Sequence, residues 1–368
     1  MTKVAETVLE VDLGALRHNY EFLRSTLRPG TKFIAVVKAF AYGHDSRIIA
    51  PFLEKLGVDY FAVAYTSEGI ELREAGVRTP IMVLHPQHVH FNSIIDSQLE
   101  PCIYSRRVLS LFLETARSRN LKTYPVHLKF NTGLNRLGFE EKEVAALVYQ
   151  LGQQQHIRAA SLFSHLAASE DLNEEAFTRN QIELFKTMAA AFEKQAGYKP
   201  LLHQCNTSGI LCYPDAHFDM VRSGIGLYGY GNDETKDKLL RRVGTLKTII
   251  SQIHHLEKGE SLGYNRGYIA EHSTVTATLP LGHADGIGRQ YGKGKAFVNI
   301  NGKKAPIIGN VCMDMLMVDI TGIDCQEGDE VIVYGGFPTA EEFAATAGTI
   351  SYELITGISR RVKRIYTE

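Results

Sequence analysis

Residues 33–44 read Phe-Ile-Ala-Val-Val-Lys-Ala-Phe-Ala-Tyr-Gly-His, and this stretch decides the fold. Its first five residues are apolar and predict a short strand buried on both faces. Lys38 ends that run, and desolvation at the mouth of an apolar strand lowers the pKa of a lysine. Such an amine can form a Schiff base with a carbonyl group. Taken alone, the stretch is at least as consistent with a lysine whose ammonium group merely extends into solvent as with a reactive amine.

Bulk composition is that of an ordinary globular protein. The chain has 368 residues, of which 44% are hydrophobic and 22% charged, a length sufficient for two domains. Its net charge of -1 gives no indication of a nucleic-acid partner. Neither a membrane-spanning apolar run nor a signal-peptide region is evident, so we expect a cytoplasmic protein without a membrane partner. The five cysteines form no CxxC pair, so we expect no disulfide framework and no metal site.

Eight apolar runs alternate with helical patterns over the first two thirds of the chain. The predicted strands are 33–37, 60–64, 81–84, 101–104, 126–130, 159–163, 201–205 and 218–221. The predicted helices are 13–27, 46–56, 67–75, 106–119, 140–151 and 173–196. Eight β-α units of this length predict a (β/α)8 TIM-type barrel.

The loops after the last two predicted strands suggest the chemistry of a ligand. In a (β/α)8 barrel, phosphate groups are often held by the loops that follow strands seven and eight. Those loops read Asn206-Thr207-Ser208-Gly209 and Arg222-Ser223-Gly224-Ile225-Gly226, rich in hydroxyl and backbone N–H donors. A phosphorylated carbonyl cofactor that faces a lysine on strand one is, in chemical terms, pyridoxal 5′-phosphate (PLP).

The pattern changes from Val243 onward. Short β-branched runs at 248–250, 273–277, 296–300, 305–308 and 330–334 are separated by turn signals, and Asn301-Gly302 is a strong hairpin signal. We therefore predict a barrel domain over residues 1–240 and a mostly-β C-terminal domain over 241–368. The exposed-strand pattern at 8–12 makes a strand available for pairing with the second domain. The basic cluster at 360–364 is interpreted as a solvated face.

Several motifs, in order from residue 8 to the C-terminus, resemble the alanine racemase family of fold-type III PLP enzymes. The motifs are Val36–His44, Lys129–Gly138, Phe163–His165, His203–Thr207, Val221–Gly229, Gly263–Arg266, Gly309–Asp314 and Ile350–Glu353. The resemblance implies PLP as cofactor, alanine as substrate and a homodimer with shared active sites.

The resemblance also implies a role for each matching residue. Lys38 and Tyr264 would be the two catalytic acid/base groups, with Lys38 also bound to PLP and Tyr264 supplied by the partner subunit. The other implied cofactor-binding residues are Tyr42, His165, Asn206, Thr207, Arg222, Gly224, Ile225 and Tyr352. The implied substrate-binding residues are Arg136, Met313 and Asp314, and Lys129, modified by carbamylation, would support Arg136.

Arginine at the position of Arg222 carries specific chemical information. Guanidinium stays protonated and has no acceptor, so opposite a pyridine nitrogen it can only donate and leaves that nitrogen unprotonated. This weakens the electron sink and is expected to limit side reactions such as transamination. The sequence departs from the family at Phe40 and Asn131, at His283 in place of a tyrosine, and at Asn310 in place of an arginine. The last two lie near the expected substrate access path.

Four functions stay open on the sequence. The first is racemisation of L- and D-alanine, which supplies D-alanine for peptidoglycan. A serine or broad-specificity racemase could use the same scaffold, although Tyr352 favours a small pocket. A related PLP decarboxylase usually places an acidic residue at the pyridine nitrogen, unlike Arg222. A non-catalytic PLP carrier typically lacks the β domain and a residue such as Tyr264.

Overall fold

A computed structural model describes residues 4–232 and 234–368. The chain divides into two compact units. One unit, called here the barrel unit, comprises Arg17–Ala41 and Ser46–Arg241. The other, called the β unit, comprises the N-terminal segment through Leu16, Tyr42–Asp45 and Arg242–Glu368. Each unit is described separately.

Eight parallel strands close the barrel and confirm the predicted (β/α)8 fold. In order, barrel strands one to eight are Lys32–Val36, Tyr60–Val63, Ile81–Val83, Glu100–Ile103, Tyr124–Lys129, Ile157–Phe163, Leu201–His203 and Met220–Ser223. Strand one pairs with strand eight, where Ile34 lies opposite Arg222, and this pairing completes the ring. Strand one is almost wholly buried because helices cover the outside of a parallel barrel and side chains fill its interior.

Helices follow most barrel strands. The α-helices are Leu13–Ser25, Ser46–Lys55, Thr66–Glu74, Phe91–Asp96, Arg106–Ser118, Val144–Gly152, Glu175–Ala196, Thr207–Cys212 and Glu234–Asp237. Their ends obey local rules. Ser105 accepts from the backbone N–H of Val108 at the start of one helix, and Gly197, with φ of 74°, ends the longest helix in the left-handed conformation. Phe91–Asp96 was not predicted, since six residues are too few for a clear helical period.

Strand eight begins two residues later than predicted. Phe218 has a φ of 50° and belongs to the preceding turn, while the Asp219 carboxylate accepts from the backbone N–H of Leu202 at 2.8 Å. As a result, Arg222 and Ser223 lie inside the strand, not in the loop after it. The loop that follows strand eight therefore starts at Gly224.

A nine-stranded sheet forms the core of the β unit and confirms the predicted mostly-β fold. In spatial order its strands are Gln252–Leu256, Thr274–Leu279, Leu316–Asp319, Lys303–Ile308, Phe297–Ile300, Glu330–Tyr334, Gly244–Ile249, Val8–Asp12 and Lys363–Thr367. Ser261–Leu262 and Tyr268–Ile269 form a separate two-stranded ribbon, and the helices are Ala340–Ala345 and Ser351–Thr356. The N-terminal strand lies between the strand that begins at Gly244 and the C-terminal strand.

Two local predictions in the β unit have opposite outcomes. The Asn301-Gly302 hairpin is confirmed, because Ile300 pairs with Lys303 and both turn residues have positive φ. The interpretation of residues 360–364 as a solvated face is wrong for Arg364. Its guanidinium donates to the carbonyls of Gly43, Ser359 and Ile358, so it ties chain segments together. None of the helices in the described ranges combines the length and the apolar character needed to cross a bilayer.

Candidate active site

Lys38 follows barrel strand one and opens a left-handed turn. Ala39, Phe40 and Ala41 have φ values of 52°, 56° and 53°, a region that costs an L-residue about 1–2 kcal/mol. Glu68, on the helix after strand two, holds the turn by accepting from the backbone N–H of Ala39 at 2.6 Å. Strained backbone of this kind concentrates at functional sites, where the surroundings enforce it.

The amine of Lys38 is prepared for nucleophilic chemistry. Burial lowers the pKa of Lys38, and the nearby Arg136 guanidinium lowers this pKa further, whereas Glu68 raises it. The expectation of a lysine with a lowered pKa is therefore met by the environment of Lys38. A larger neutral fraction makes the amine a better nucleophile and a better proton acceptor near neutral pH.

Arg222, on strand eight, is buried, and several hydrogen-bond acceptors surround its guanidinium. Nη1 donates to Nδ1 of His203 at 2.7 Å, and Nη2 donates to the carbonyls of Ser164 at 2.8 Å and Gln204 at 3.0 Å. Nη2 also lies 3.1 Å from Nδ1 of His165. Burial lowers the pKa of Arg222 to about 10, so the guanidinium keeps its charge near neutral pH.

Arg222 acts only as a donor, which fixes the state of its histidine partners. Burial holds the pKa of His165 well below its ordinary value, and Arg222 adds to this effect. The same two causes, in the same order, hold the pKa of His203 well below its ordinary value. Both rings are therefore neutral, each with an Nδ1 lone pair available to the guanidinium.

Two further cations lie near Lys38. Lys129, at the end of strand five, is 7% exposed, and burial together with Arg136 lowers the pKa of Lys129 to about 8. Its Nζ lies 5.8 Å from the centroid of the Phe163 ring, and no carboxylate among the described residues pairs with it. Arg136 is exposed and belongs to the loop after strand five. The site thus concentrates positive charge.

The loops after strands seven and eight meet directly. Thr207 Oγ accepts from the backbone N–H of Gly226 at 3.2 Å and lies 3.0 Å from Ser223 Oγ. A Cβ at Gly226 would stand 2.5 Å from Thr207 Cγ2, so the close approach requires glycine. Asn206 Oδ1 caps the helix Thr207–Cys212 through the N–H of Gly209 at 2.9 Å.

These loops present donors to one region. The 3-10 helix Ile225–Tyr228 starts after Gly224, and the helix Thr207–Cys212 starts after Asn206. The first N–H groups of a helix have no intrahelical acceptor, so both starts can donate to an anion. The structure thus places Thr207, which follows Asn206, against the segment that contains Gly224 and Ile225.

The barrel residues fit PLP. A primary amine of lowered pKa matches the aldehyde, two helix starts with hydroxyls match the phosphate, and a donor-only guanidinium matches an unprotonated pyridine nitrogen. Excess positive charge matches an anionic cofactor and a carboxylate substrate. In addition, Gln204 Oε1 is buried without a hydrogen-bond partner among the described residues, which leaves an acceptor in the wall beside Arg222.

The β unit contains the remaining predicted residues. Tyr42 and Tyr352 lie with ring centroids 6.3 Å apart. Burial raises the pKa of Tyr42, and Tyr352 raises it further, so the Tyr42 phenol stays protonated and can donate. The pair therefore offers hydroxyl groups suited to an anionic group.

Tyr264 lies on a short loop and is 73% exposed. Asn265 and Arg266 follow it with positive φ values of 57° and 48°. Asn310 Nδ2 donates to the carbonyl of Tyr264 at 2.9 Å, and a Cβ at Gly267 would stand 2.6 Å from that Nδ2. Asn310, which replaces a family arginine, thus anchors the loop that presents Tyr264.

Met313 and Asp314 occupy a neighbouring turn in the β unit. The N–H of His283 donates to Cys312 and that of Ala284 to Met313, so the two turns are joined through their backbones. Arg361 bridges this turn to the buried Asp285, with Nη2 at 2.7 Å from Asp314 Oδ1 and Nε at 2.6 Å from Asp285 Oδ1. Met313 is 59% exposed.

Some residues at the site carried no usable sequence signal. Glu68 looks like an ordinary first-turn helix carboxylate, and its contact with Ala39 arises only when strands one and two pair. His203 lies in the motif His203–Thr207, but the motif implies no role for it. Arg361 was assigned to a solvated face, yet it anchors Asp314. Each of these contacts joins residues far apart in the sequence, so local spacing does not reveal it.

Comparisons with known proteins agree with this geometry. The family model "Alanine racemase, N-terminal domain" matches residues 11–232, and "Alanine racemase, C-terminal domain" matches residues 243–366. Alanine racemase 1 of Clostridium acetobutylicum is 37% identical over 367 residues, which cover 97% of this chain and 94% of the relative.

Solved structures give the same result. An alanine racemase from Clostridium difficile 630 is similar with a TM-score of 0.93 and 35% identity, covering 100% of this chain and 97% of that one. An alanine racemase from Bartonella henselae with covalently bound pyridoxal phosphate is similar with a TM-score of 0.91 and 29% identity, covering 99% and 100% of the two chains. The chain therefore belongs to the alanine racemase family of isomerases.

Proposed function

We propose that the protein interconverts L- and D-alanine with PLP bound to Lys38. The observation that carries the proposal is the pairing of a lysine of lowered pKa with a donor-only arginine on adjacent strands. Ile34 of strand one lies opposite Arg222 of strand eight, and Lys38 follows strand one. This arrangement offers an amine for the cofactor aldehyde and a guanidinium for its ring nitrogen.

The proposal keeps a barrel domain over residues 1–240, which would hold most of the cofactor, and a β domain over 241–368. When bound, PLP supplies an electron sink for the bond that breaks at the α-carbon. Arg222, with His165 beside it, would donate to the ring nitrogen and keep it unprotonated. The phosphate would be held by Thr207, Gly224 and Ile225, in a loop shaped by Asn206, and by the hydroxyls of Tyr42 and Tyr352.

Arg136 would orient the substrate. A guanidinium binds a carboxylate with two parallel hydrogen bonds, and Arg136 lies close enough to lower the pKa of Lys38. Lys129 would carry a carbamate, whose negative charge fixes Arg136 and relieves the excess of cations. The lowered pKa of Lys129, about 8, supports this because only a neutral amine adds to carbon dioxide.

Lys38 and Tyr264 would move protons on opposite faces of the substrate. Nζ of Lys38 would exchange the α-proton on one face and the phenolic oxygen of Tyr264 on the other. Among the large hydrophobic side chains of the described residues, Tyr264 and Met313 are strongly exposed, at 73% and 59%. An acid/base group works best when shielded from water, and we assign the shielding to the partner subunit of a homodimer.

In that dimer, each β unit would complete the partner's barrel site. The backbone of Met313 would bind the substrate carboxylate, with Asp314 beside it. The product D-alanine would supply peptidoglycan synthesis.

Substrate identity is tested by incubating L-alanine and L-serine separately with PLP-loaded protein and separating the enantiomers by chiral chromatography. We expect alanine to be converted well ahead of serine, and Lys38→Ala to abolish both conversions. Faster conversion of serine would reassign the substrate. No conversion of either, despite bound PLP, would contradict racemase activity.

Shared active sites are tested by mixing Lys38→Ala and Tyr264→Ala variants. In a symmetric dimer with random exchange of subunits, half the dimers are hybrids and each hybrid has one intact site, so activity should recover to about a quarter of wild type. Exchange is verified by mass spectrometry of differently tagged subunits. Verified hybrids without activity would show that Lys38 and Tyr264 do not act between subunits.

A further inference from the structure

The barrel interior contains a continuous line of polar side chains. A (β/α)8 core is usually filled by branched apolar residues. Here strands four to eight each contribute one polar residue to a single chain of contacts. In order, these residues are Glu100, His127, Ser161, His203 and Arg222. Because buried polar groups are costly unless every member is satisfied, such a line requires an explanation.

Hydrogen-bonding distances join each member of the line to the next. Glu100 Oε2 lies 2.8 Å from Nε2 of His127, and Nδ1 of His127 lies 2.6 Å from Ser161 Oγ. Ser161 Oγ lies 2.9 Å from Nε2 of His203, whose Nδ1 is 2.7 Å from Arg222 Nη1. The three middle side chains are wholly buried.

The donor-only guanidinium of Arg222 gives this line one consistent direction for its bonds. Arg222 has no acceptor, so it donates to Nδ1 of His203, and the neutral ring carries its proton on Nε2. That proton goes to Ser161 Oγ, which leaves the hydroxyl proton for Nδ1 of His127. The remaining proton of His127 is then on Nε2 and faces the Glu100 carboxylate. Every donor has an acceptor, and the line runs from a cation to an anion.

The line connects two charges that do not touch. No carboxylate among the described residues pairs directly with Arg222, whose charge is buried. Glu100, at the first residue of strand four, accepts from His127 and also from the Tyr60 hydroxyl. Hydrogen bonds in a chain polarise one another, so the Glu100 charge strengthens each acceptor in turn up to Nδ1 of His203.

We propose that Glu100 is a positioning residue that acts on Arg222 through a relay formed by His127, Ser161 and His203. The Glu100 carboxylate holds both histidine rings of the relay in one tautomer. The relay thereby keeps Nδ1 of His203 as the acceptor for Arg222 Nη1, and this hydrogen bond orients the rest of the guanidinium. The relay is a property of the folded barrel. Only its effect on catalysis rests on the proposed function, through the contact of Arg222 with the cofactor ring nitrogen.

The relay is tested first by ¹⁵N NMR of the histidine rings in cofactor-free protein. We expect neutral rings with the proton on Nε2 for both His127 and His203, and a slowly exchanging Arg222 side-chain N–H proton. A proton on Nδ1 of either ring, or two protons on His203, would overturn the proposed direction of the relay.

A double-mutant cycle then tests the coupling. Glu100→Gln keeps an acceptor for His127 but removes the charge, and Ser161→Ala breaks the relay in the middle. Each single variant should shift the Arg222 N–H resonance and, in PLP-loaded protein, lower kcat about threefold to tenfold with KM unchanged, the effect of one polarised hydrogen bond. Once Ser161→Ala is present, Glu100→Gln should add nothing, since coupled residues are not additive.

Glu54→Gln is the matched control. Glu54 and Glu100 both act electrostatically on Arg73, but Glu54 accepts from residues 78 and 79 and lies outside the relay. We expect Glu54→Gln to leave the Arg222 resonance and kcat unchanged. Additive effects in the cycle, or an equal effect of Glu54→Gln, would overturn the relay.

Failure of the relay and failure of the racemase proposal are distinguishable. The NMR measurements use cofactor-free protein and do not depend on any reaction. If Ser161→Ala does not fold, the Arg222 resonance in Glu100→Gln compared with Glu54→Gln still decides the proposal, because the first must shift and the second must not.

Discussion

Replacement of Glu68 by alanine tests how the Lys38 turn is held. The Glu68 carboxylate accepts from the backbone N–H groups of Ala39 and Ala64, both at 2.6 Å, and of Tyr65 at 3.1 Å. Only the bond to Ala39 reaches the left-handed turn. The other two bonds fix the carboxylate at the start of its own helix.

The size of the effect follows from the backbone geometry. Four consecutive non-glycine residues, Ala39 to Tyr42, have positive φ and cost about 4–8 kcal/mol in total at about 1–2 kcal/mol each. A hydrogen bond to a charged group contributes about 1.5–3 kcal/mol. Loss of a hydrogen bond worth about 2 kcal/mol should let the strained turn relax and displace Lys38. If this whole energy is added to the activation free energy of racemisation, kcat falls about 30-fold.

We therefore expect Glu68→Ala to lower kcat for alanine racemisation about 10- to 30-fold, and Glu68→Gln, which retains one acceptor oxygen, to lower it less. The assay measures initial rates by chiral chromatography. The control is Glu74→Ala, an exposed carboxylate on the same helix.

A second readout is independent of turnover. Because Glu68 raises the pKa of Lys38, its removal should lower that pKa further, as measured from the pH dependence of Lys38 modification. Activity of Glu68→Ala within twofold of the Glu74→Ala control, with an unchanged Lys38 pKa, would refute the reasoning.

Three further predictions concern other parts of the site. Arg222→Glu should raise transamination relative to racemisation, measured as pyruvate formed per D-alanine, because the ring nitrogen becomes protonated; an unchanged ratio counts against the assigned role. Carbamate formation at Lys129 from ¹³C-bicarbonate should rise as the pH passes about 8, the pKa of Lys129, because only the neutral amine reacts. A ¹³C NMR signal in Lys129→Met equal to that of the wild type would exclude Lys129 as the carbamate site. Asn310→Ala should lower kcat about threefold to tenfold, because loss of one hydrogen bond releases the Tyr264 loop. Asn310→Asp should lower kcat at least as much, because its carboxylate places a second acceptor against the Tyr264 carbonyl. Full activity of either variant would contradict the role of Asn310 in holding the loop.

The barrel could be predicted from the sequence because its signals are local. Each strand is a short apolar run and most helices are long enough to show their period. Strand eight was misplaced by two residues, since Phe218 is apolar but adopts a left-handed conformation that no pattern encodes. This shift moved Arg222 from a loop into the barrel wall, where its surroundings differ.

The strands of the β unit were harder to predict. Gln252–Leu256 is a mostly polar edge strand, and Lys363–Thr367 begins in a basic cluster. Both form because backbone hydrogen bonds to neighbours distant in sequence outweigh local preference. The composition of residues 360–364 indicated a solvated surface, although Arg361 and Arg364 make specific contacts there.

The site was predictable only where a motif or a strand end indicated it. Lys38 is recognisable in the sequence because a lysine that ends an apolar run is unusual. The relay from Glu100 to Arg222 had no such signal, because its members are spread over residues 100–222 and each looks ordinary in its own strand. Only the side-by-side pairing of strands four to eight brings these five residues into contact.

The most direct test of the account is conversion of L-alanine in D₂O by PLP-loaded protein, with chiral chromatography and mass detection at early times. If two acid/base groups act on opposite faces of the substrate, the D-alanine formed carries one solvent deuterium at the α-carbon. The remaining L-alanine then stays largely unlabelled. D-alanine that retains the substrate proton would show that a single group serves both faces. Absence of D-alanine would contradict racemisation itself.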